Sequence, residues 1–81
     1  MKIIIYPNPA QDFVNISIVE PTLEPDIIII IDFSGRIVFK DLLEPGIKNI
    51  QIQNNLNTGV YILELRSGSL TLDAQKLMIN W

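Results

Sequence analysis

Three segments of the chain alternate between apolar and polar residues, which is the pattern of a half-buried β-strand. They are Phe13 to Val19, Ile47 to Gln53 and Val60 to Arg66. Successive side chains of a strand point to opposite faces, so the apolar members of each segment are expected to share one buried face. The predicted inward positions are Val14, Ile16 and Ile18 in the first segment, Ile50 and Ile52 in the second, and Tyr61, Leu63 and Leu65 in the third.

A fourth segment, Ile27 to Asp32, begins with an unbroken run of isoleucine. β-Branched residues lose side-chain freedom in a helix and pack well on a pleated surface, so this run predicts a strand. Because the strand is apolar on both faces, we expect it at the centre of a sheet. The predicted core consists of Ile16, Ile18, Ile29, Ile31, Ile50, Ile52, Leu63 and Leu65.

Turn residues separate these segments from three further predicted strands, Ile3 to Tyr6, Arg36 to Asp41 and Leu70 to Ile79. The apolar positions of the last strand change phase along its length, which predicts a bulge near Gln75 or Lys76. Seven short strands separated by turns predict an all-β chain folded as an immunoglobulin-like β-sandwich of about seven antiparallel strands.

Two connections between strands have distinctive turn residues. Two prolines predict a loop over Glu20 to Pro25, because proline cannot donate to a β-ladder. In the hairpin that follows the isoleucine run, we expect the Asp32 carboxylate to accept hydrogen bonds from the turn backbone. Gly35 is expected to supply the positive φ of a bulged type I turn.

The composition narrows the possible functions. The 81 residues suffice for one domain, and they include neither cysteine nor histidine. This excludes disulfides, thiolate and imidazole metal ligands, cysteine nucleophiles and Ser-His-Asp triads. With a net charge of −3 and only six Lys and Arg, the chain lacks the basic face of a nucleic-acid-binding protein. No apolar run is long enough to span a membrane, and we expect no cofactor and no metal ion.

Carboxylates are the main candidates for catalysis. Asp12, Asp32, Asp41 and Glu64 fall at strand ends or at outward positions. A glycosidase would need two such groups to face each other across a cleft. We interpret these residues as solvated acids and turn caps, so the chain is not expected to be an enzyme.

Two ligand hypotheses follow from the oxygen-bearing and aromatic side chains. Asp12, Asn15 and Asp73 could offer oxygen ligands to calcium, although they lack the dense spacing of a calcium loop. A coplanar set of aromatic residues would suggest carbohydrate binding, whereas Phe39 and Tyr61 have the phase of core residues. A carbohydrate-binding or adhesion module of a larger extracellular enzyme therefore stays open as an alternative function.

Four segments, taken in order, resemble one protein family. They are Tyr6-Pro7-Asn8-Pro9 with Asp12 and the strand through Ile18, Ile31 to Val38 around Asp32 and Gly35, Leu56 to Leu63 around Gly59 and Tyr61, and a closing apolar strand with Lys76-Leu77. Their order and spacing resemble the C-terminal sorting domain (type A) of cargo proteins of the type IX secretion system of Bacteroidota. The resemblance covers nearly the whole chain.

The resemblance implies a function that the strand pattern alone does not reveal. Such domains are immunoglobulin-like sandwiches at the C-terminus of larger secreted proteins, and the outer-membrane translocon reads them as an export address. A sortase-like peptidase then separates the domain from its N-terminal cargo. The implied function is a non-catalytic signal that directs attached cargo through the periplasm and across the outer membrane to the cell surface or medium. The residues of this chain that match the family motifs are Tyr6, Pro7, Asn8, Pro9, Asp32, Gly35, Gly59, Tyr61, Lys76 and Leu77.

The two ends of the chain depart from the family pattern. The family usually closes with a basic pair and a final lysine, whereas the segment from Gln75 to Trp81 has only Lys76. The chain also begins at Met1, directly before the first motif, so we expect residues 1–81 to be a single domain excised from a larger secreted protein. We further expect the closing strand to lie at a sheet edge and to present unpaired backbone groups to a partner, with Lys76 as a charged contact.

Overall fold

A computed structural model of the protein describes residues 2–19 and 24–81. The strands are β1 (Lys2–Tyr6), β2 (Phe13–Val19), β3 (Ile27–Ile31), β4 (Ile37–Leu42), β5 (Asn49–Gln53), β6 (Gly59–Ser67) and β7 (Leu70–Ile79). The all-β prediction is confirmed, and the predicted strand bounds agree within two residues. Most of the loop predicted over Glu20 to Pro25 lies outside the described residues. In the described part of the chain, no helix is long and apolar enough to cross a membrane.

The strands form two sheets with antiparallel pairing throughout. One sheet has the order β1-β2-β5 and the other has the order β4-β3-β6-β7. The arrangement is an immunoglobulin-like sandwich whose fourth strand pairs with the third instead of joining the sheet of the first. β3 lies between β4 and β6, so its prediction as a central strand is confirmed.

The inward faces of β2, β6 and β7 supply most of the core. The predicted inward positions of β2 and β6 are confirmed as buried, and Ile52 of β5 is buried beside them, whereas Ile50 is half-buried at the margin of the core. β7 contributes two further core residues that are almost inaccessible to solvent, Leu77 and Ile79. The alternating pattern of the sequence therefore assigns the buried face correctly in β2, β5 and β6.

The buried face of β3 differs from the prediction. Ile28 and Ile30 point into the core, where they pair with Leu65 and Leu63 of β6. The predicted core residue Ile31 is half-buried on the opposite face, and Ile29 is buried there, outside the core cluster. A run of identical isoleucines contains no polar position that fixes the phase, so the register with β6 decides it.

The bulge in β7 also lies elsewhere than predicted. The register with β6 shifts where Leu65 pairs with Asp73 and Arg66 pairs with Thr71, so the extra residue is Leu72. The prediction near Gln75 or Lys76 is wrong because Asp73 and Gln75 share the inward phase of Leu77. These polar side chains are accommodated because β7 is an edge strand, where inward-phase groups can reach the sheet margin.

Candidate recognition site at the β7 edge and the adjoining turns

The segment Tyr6 to Ala10 lies along the outer edge of β7. The Asn8 side chain donates from Nδ2 to the Lys76 carbonyl oxygen at 3.1 Å, and its Oδ1 accepts from the Met78 N–H at 2.9 Å. One side-chain amide thus takes the place of a backbone rung in the ladder. The neighbouring peptide bonds Tyr6–Pro7 and Asn8–Pro9 are both cis.

Ala10 continues this contact with its own backbone. Its N–H donates to the Met78 carbonyl at 2.8 Å, and its carbonyl accepts from the Asn80 N–H at 3.0 Å, which forms a short parallel bridge to Ile79. We call the Asn8 and Ala10 contacts with residues 76–80 the β7 clamp. Ala10 is fully buried beneath it.

The β7 clamp changes the interpretation of the closing strand. β7 is the edge strand of its sheet, as expected. The expectation that it presents unpaired backbone groups is wrong for residues 76–80, because Asn8 and Ala10 occupy them. Nearer the start of β7, Asp73 Oδ2 accepts from the Ile3 N–H at 2.9 Å and bridges the two sheets. The edge is thus protected by the first segment of the chain.

The β3–β4 turn has the predicted geometry. Asp32 Oδ1 accepts from the Ser34 N–H at 2.9 Å, the Ser34 hydroxyl at 2.7 Å and the Arg36 N–H at 3.0 Å. Gly35 has a φ of 89°, as expected for this turn. The Ser34 hydroxyl, followed by the Arg36 N–H, holds the pKa of the Asp32 carboxyl below its ordinary value, because both bonds favour the charged form.

Gly59 and Tyr61 form a compact unit at the start of β6. The Tyr61 hydroxyl donates to the Asn57 carbonyl at 2.7 Å, which ties the strand to the loop before it. A β-carbon at position 59 would lie 3.6 Å from the Tyr61 ring, which is an ordinary van der Waals contact, so Gly59 borders the ring without being required by the space there. This arrangement is similar to the tyrosine corner of immunoglobulin-like domains, in which a tyrosine hydroxyl bonds back to the backbone.

The motif residues meet around β6 and β7. The Asn8 segment reaches β7 at Lys76, and Leu77 pairs with Tyr61 across the sheet. Asp32 lies in the turn that borders Gly59 and Tyr61 at the end of the same sheet. Leu77 is fully buried, whereas Lys76 is exposed on the outer face of the sheet. The sequence motifs therefore lie at one end of the four-stranded sheet, although they are distant along the chain.

Two structurally important residues were not identified from the sequence. Asn54 is 5% exposed; its Nδ2 donates to the Gln11 carbonyl at 2.6 Å, and its Oδ1 accepts from the Leu56 N–H at 2.9 Å. Trp81 donates from Nε1 to the Leu56 carbonyl at 2.8 Å. The long-range partners of Asn54 and Trp81, which are Gln11 and Leu56, lie 43 and 25 residues away, so no local pattern reveals them.

The two ligand hypotheses are not supported by the positions of their residues. Asp73 bonds to Ile3 near the start of β1, whereas Asn15 pairs with Tyr6 at its end, roughly 10 Å away. The three oxygen donors named for calcium therefore do not converge. The aromatic side chains are likewise divided among the core (Phe39, Tyr61), the three-stranded sheet (Tyr6, Phe13), the β3–β4 turn (Phe33) and the C-terminus (Trp81).

The strands and their order define a small immunoglobulin-like β-sandwich module. The sequence model of the family described as "Secretion system C-terminal sorting domain" matches residues 4–80, so the chain belongs to that family. The chain is accordingly a C-terminal sorting signal for type IX secretion, and the match does not favour the carbohydrate-binding alternative. No curated protein and no solved structure matches the chain.

Proposed function

We propose that the chain is a non-catalytic export address that the outer-membrane translocon of a type IX system reads on the folded domain. The observation that carries this proposal is the family match over residues 4–80. In the proposal, residues 1–81 are excised from a longer protein whose N-terminal cargo passes through the periplasm. The cargo then crosses the outer membrane to the cell surface or medium.

A sortase-like peptidase is the second partner in this proposal. It would cut the chain before the domain and leave the sandwich behind. β1 begins at Lys2 and is the edge strand of the three-stranded sheet. A linker that precedes β1 would therefore leave the sandwich at an edge, where a peptidase has access to extended backbone.

The structural use of several carboxylates supports a non-catalytic role. Asp32 binds the β3–β4 turn backbone, and Asp73 bridges to Ile3 of the other sheet. Glu64 pairs with Arg66, with 2.6 Å between Oε2 and Nη2. Each of these acids has a partner that accounts for its position in the fold. Their proposed contribution to export is to hold the recognised surface in one shape.

The recognised surface in this proposal is the end of the four-stranded sheet where the motifs meet. The β7 clamp and the β3–β4 turn shape it, and Lys76 supplies an exposed charge. Leu77, Gly59 and Tyr61 act indirectly, because they are buried or half-buried and fix the backbone beneath that surface. The sorting signal is then the folded surface itself, so unfolding of the domain should abolish export.

The experiment fuses a folded reporter to the N-terminus of the domain in a bacterium with an intact type IX apparatus. We expect the reporter at the cell surface or in the medium, and in the periplasm of a strain that lacks the translocon. A Leu77→Asp fusion, which buries a charge in the core, is expected to stay in the periplasm. Delivery that persists without the translocon, or a folded wild-type fusion that stays in the periplasm, would refute the proposal.

A charge reversal at Lys76 tests the proposed contact more directly than removal of the closing segment. Deletion of residues 75–81 also removes Leu77 and Ile79 from the core, so it cannot separate recognition from folding. Lys76→Glu changes an exposed side chain and leaves its backbone carbonyl available to Asn8. We expect reduced delivery at an unchanged melting temperature. Delivery equal to wild type would remove Lys76 from the proposed site.

A further inference from the structure

The outer face of the four-stranded sheet is apolar at the end where the motifs meet. Its exposed residues include Phe33, which is 94% exposed, and four strand residues that are 39–48% exposed. Ile31 is half-buried among them. We call this surface the outer apolar face, and its members are Ile31, Phe33, Ile37, Val60, Ile62 and Met78.

The strand register makes these side chains contiguous. Ile37, Ile31 and Ile62 lie side by side on β4, β3 and β6, and Lys76 of β7 continues the row. Four adjacent strands span roughly 14 Å at the usual spacing between strands. Val60 and Met78 form a second row on the same face, two residues further along β6 and β7. Phe33 borders Val60 from the β3–β4 turn.

The fold itself does not use this face. The core packs against the opposite face of the sheet, through Ile28, Ile30, Leu63 and Leu65. The outer face of the other sheet also exposes apolar side chains, those of Ile4, Tyr6 and Phe13, but polar residues are interspersed with them, and Gln51 Nε2 donates there to Asn15 Oδ1 at 3.0 Å. Contiguous exposed apolar residues that the core does not cover are typical of an interaction surface.

The charges around the outer apolar face indicate which kind of partner it fits. By register, the described residues on the same side of the sheet include three bases, Lys40, Arg66 and Lys76, and one acid, Glu64, which pairs with Arg66. This side therefore carries an excess of positive charge, whereas the whole chain has a net charge of −3. A partner with acidic groups around an apolar centre complements it.

We propose that the outer apolar face docks a protein receptor whose contact surface is apolar at its centre and acidic at its rim. This proposal rests on the proposed function, and it specifies which part of the sorting domain the export machinery contacts. Phe33 is the expected anchor, because an aromatic side chain that is almost fully exposed gains the most burial on docking. The face is small compared with a stable protein interface, so the contact is weak and reversible.

Two other occupants fit the charges less well. Two copies of the domain packed through this face would bring the bases of both copies together, which disfavours self-association. Lys40 and Lys76 have no ion-pair partner among the described residues. Two such bases attract an anionic lipid surface only weakly, since stable membrane attachment takes a larger basic cluster or a lipid anchor.

The test compares two isoleucines in similar environments. Ile37 of β4 is 48% exposed on the outer apolar face, and Ile4 of β1 is 45% exposed on the outer face of the other sheet. Both lie on edge strands. Threonine keeps the β-preference at each position, so Ile37→Thr and Ile4→Thr are expected to fold alike, which thermal unfolding verifies. Delivery of the fused reporter is then measured for each variant.

We expect Ile37→Thr to lower delivery, and Ile37→Thr combined with Phe33→Ser to lower it roughly tenfold or more at a melting temperature near that of wild type, while Ile4→Thr leaves delivery unchanged. Equal delivery by both fusions would overturn the inference and leave the proposed function intact. A wild-type fusion that is not delivered would instead contradict the proposed function.

Purified wild-type domain should sediment as a monomer and should not bind phosphatidylglycerol vesicles. Dimerisation, or vesicle binding, that Ile37→Thr abolishes would also overturn the inference.

Discussion

At the scale of single residues, the Asp32 carboxylate stabilises the β3–β4 turn in a pH-dependent way. Its pKa is lowered in the folded state by the Ser34 hydroxyl and the Arg36 N–H, whereas an unfolded aspartate has a pKa of about 3.9. The contribution is therefore complete above the unfolded pKa and is lost as the pH falls through the folded pKa. We expect the melting temperature of wild type to fall more steeply than that of Asp32→Asn between about pH 5 and pH 2. Parallel curves would contradict this.

Gly35 is required by the backbone of the same turn. Its φ of 89° disfavours any residue with a β-carbon, and a β-carbon there would meet no atom within 4 Å. The cost of substitution is thus conformational, about 1–2 kcal/mol. Gly35→Val should lower the free energy of unfolding by about this amount, and Gly35→Asn by less, because asparagine tolerates positive φ better. Urea denaturation measures both, and equal losses would show that φ is not the cause.

The side chain of Asn8 makes a contribution to stability that substitution can measure separately. Asn8→Ala removes both of its hydrogen bonds to β7, and we expect a loss of about 1 kcal/mol, since each bond is exposed to competing water. Asn8→Asp keeps an acceptor for the Met78 N–H but loses the donor to Lys76. Amide hydrogen exchange should therefore accelerate at Met78 in the alanine variant more than in the aspartate variant. Unchanged exchange in both would argue against the β7 clamp.

Sequence reasoning was most accurate for residues whose role is local. Asp32 and Gly35 act within one turn, and their spacing predicts both the carboxylate acceptor and the positive φ. Asn8 was identified only as a motif residue, and its contacts were not predicted, because its partners in β7 are 68 and 70 residues away. A local pattern contains no information about such a partner, which is set by how the two sheets pack.

At the scale of the strands, the two faces of β3 should respond differently to truncation. Ile30 points into the core, so Ile30→Ala should cost about 2–5 kcal/mol. Ile29 is also buried, but it faces outward between Lys40 and Glu64, whose flexible stems can close over a smaller side chain. Ile29→Ala should therefore cost clearly less in chemical denaturation. Equal costs would indicate that the outer side packs as rigidly as the core.

The positions of the strands were predictable from the sequence, but which side chains of β3 and β7 point inward was not. Alternation fixes the inward face of β2, β5 and β6, because a shift of one residue would bury their polar side chains. β3 contains no polar position, so its inward face depends on pairing with β6. In β7 the polar Asp73 shares the inward phase because its carboxylate reaches Ile3 at the sheet margin. Contacts between distant strands decide both cases.

At the scale of the whole molecule, residues 75–81 contribute to the core as well as to the surface that we propose is recognised. Deletion of residues 75–81 removes Leu77, Ile79 and the partners of the β7 clamp. Since domains of this size are only marginally stable, we expect the shortened chain to be unfolded at 25 °C. Deletion of Trp81 alone removes two exposed hydrogen bonds, from its Nε1 to the Leu56 carbonyl and from its N–H to the Thr58 hydroxyl, and should leave the fold intact. The dispersion of amide NMR signals measures both, and native dispersion after the longer deletion would refute this.

The β7 clamp has a consequence for the order in which the domain is made. Asn8 is synthesised 68 and 70 residues before its partners Lys76 and Met78. Contacts between such distant positions form late in folding, because the chain between them must first be ordered. The sandwich therefore closes only on a chain that has been translated through its final strand. A ribosome that stops before β7 yields a domain without the β7 clamp, and under the proposed function such an incomplete chain lacks the folded surface that export requires.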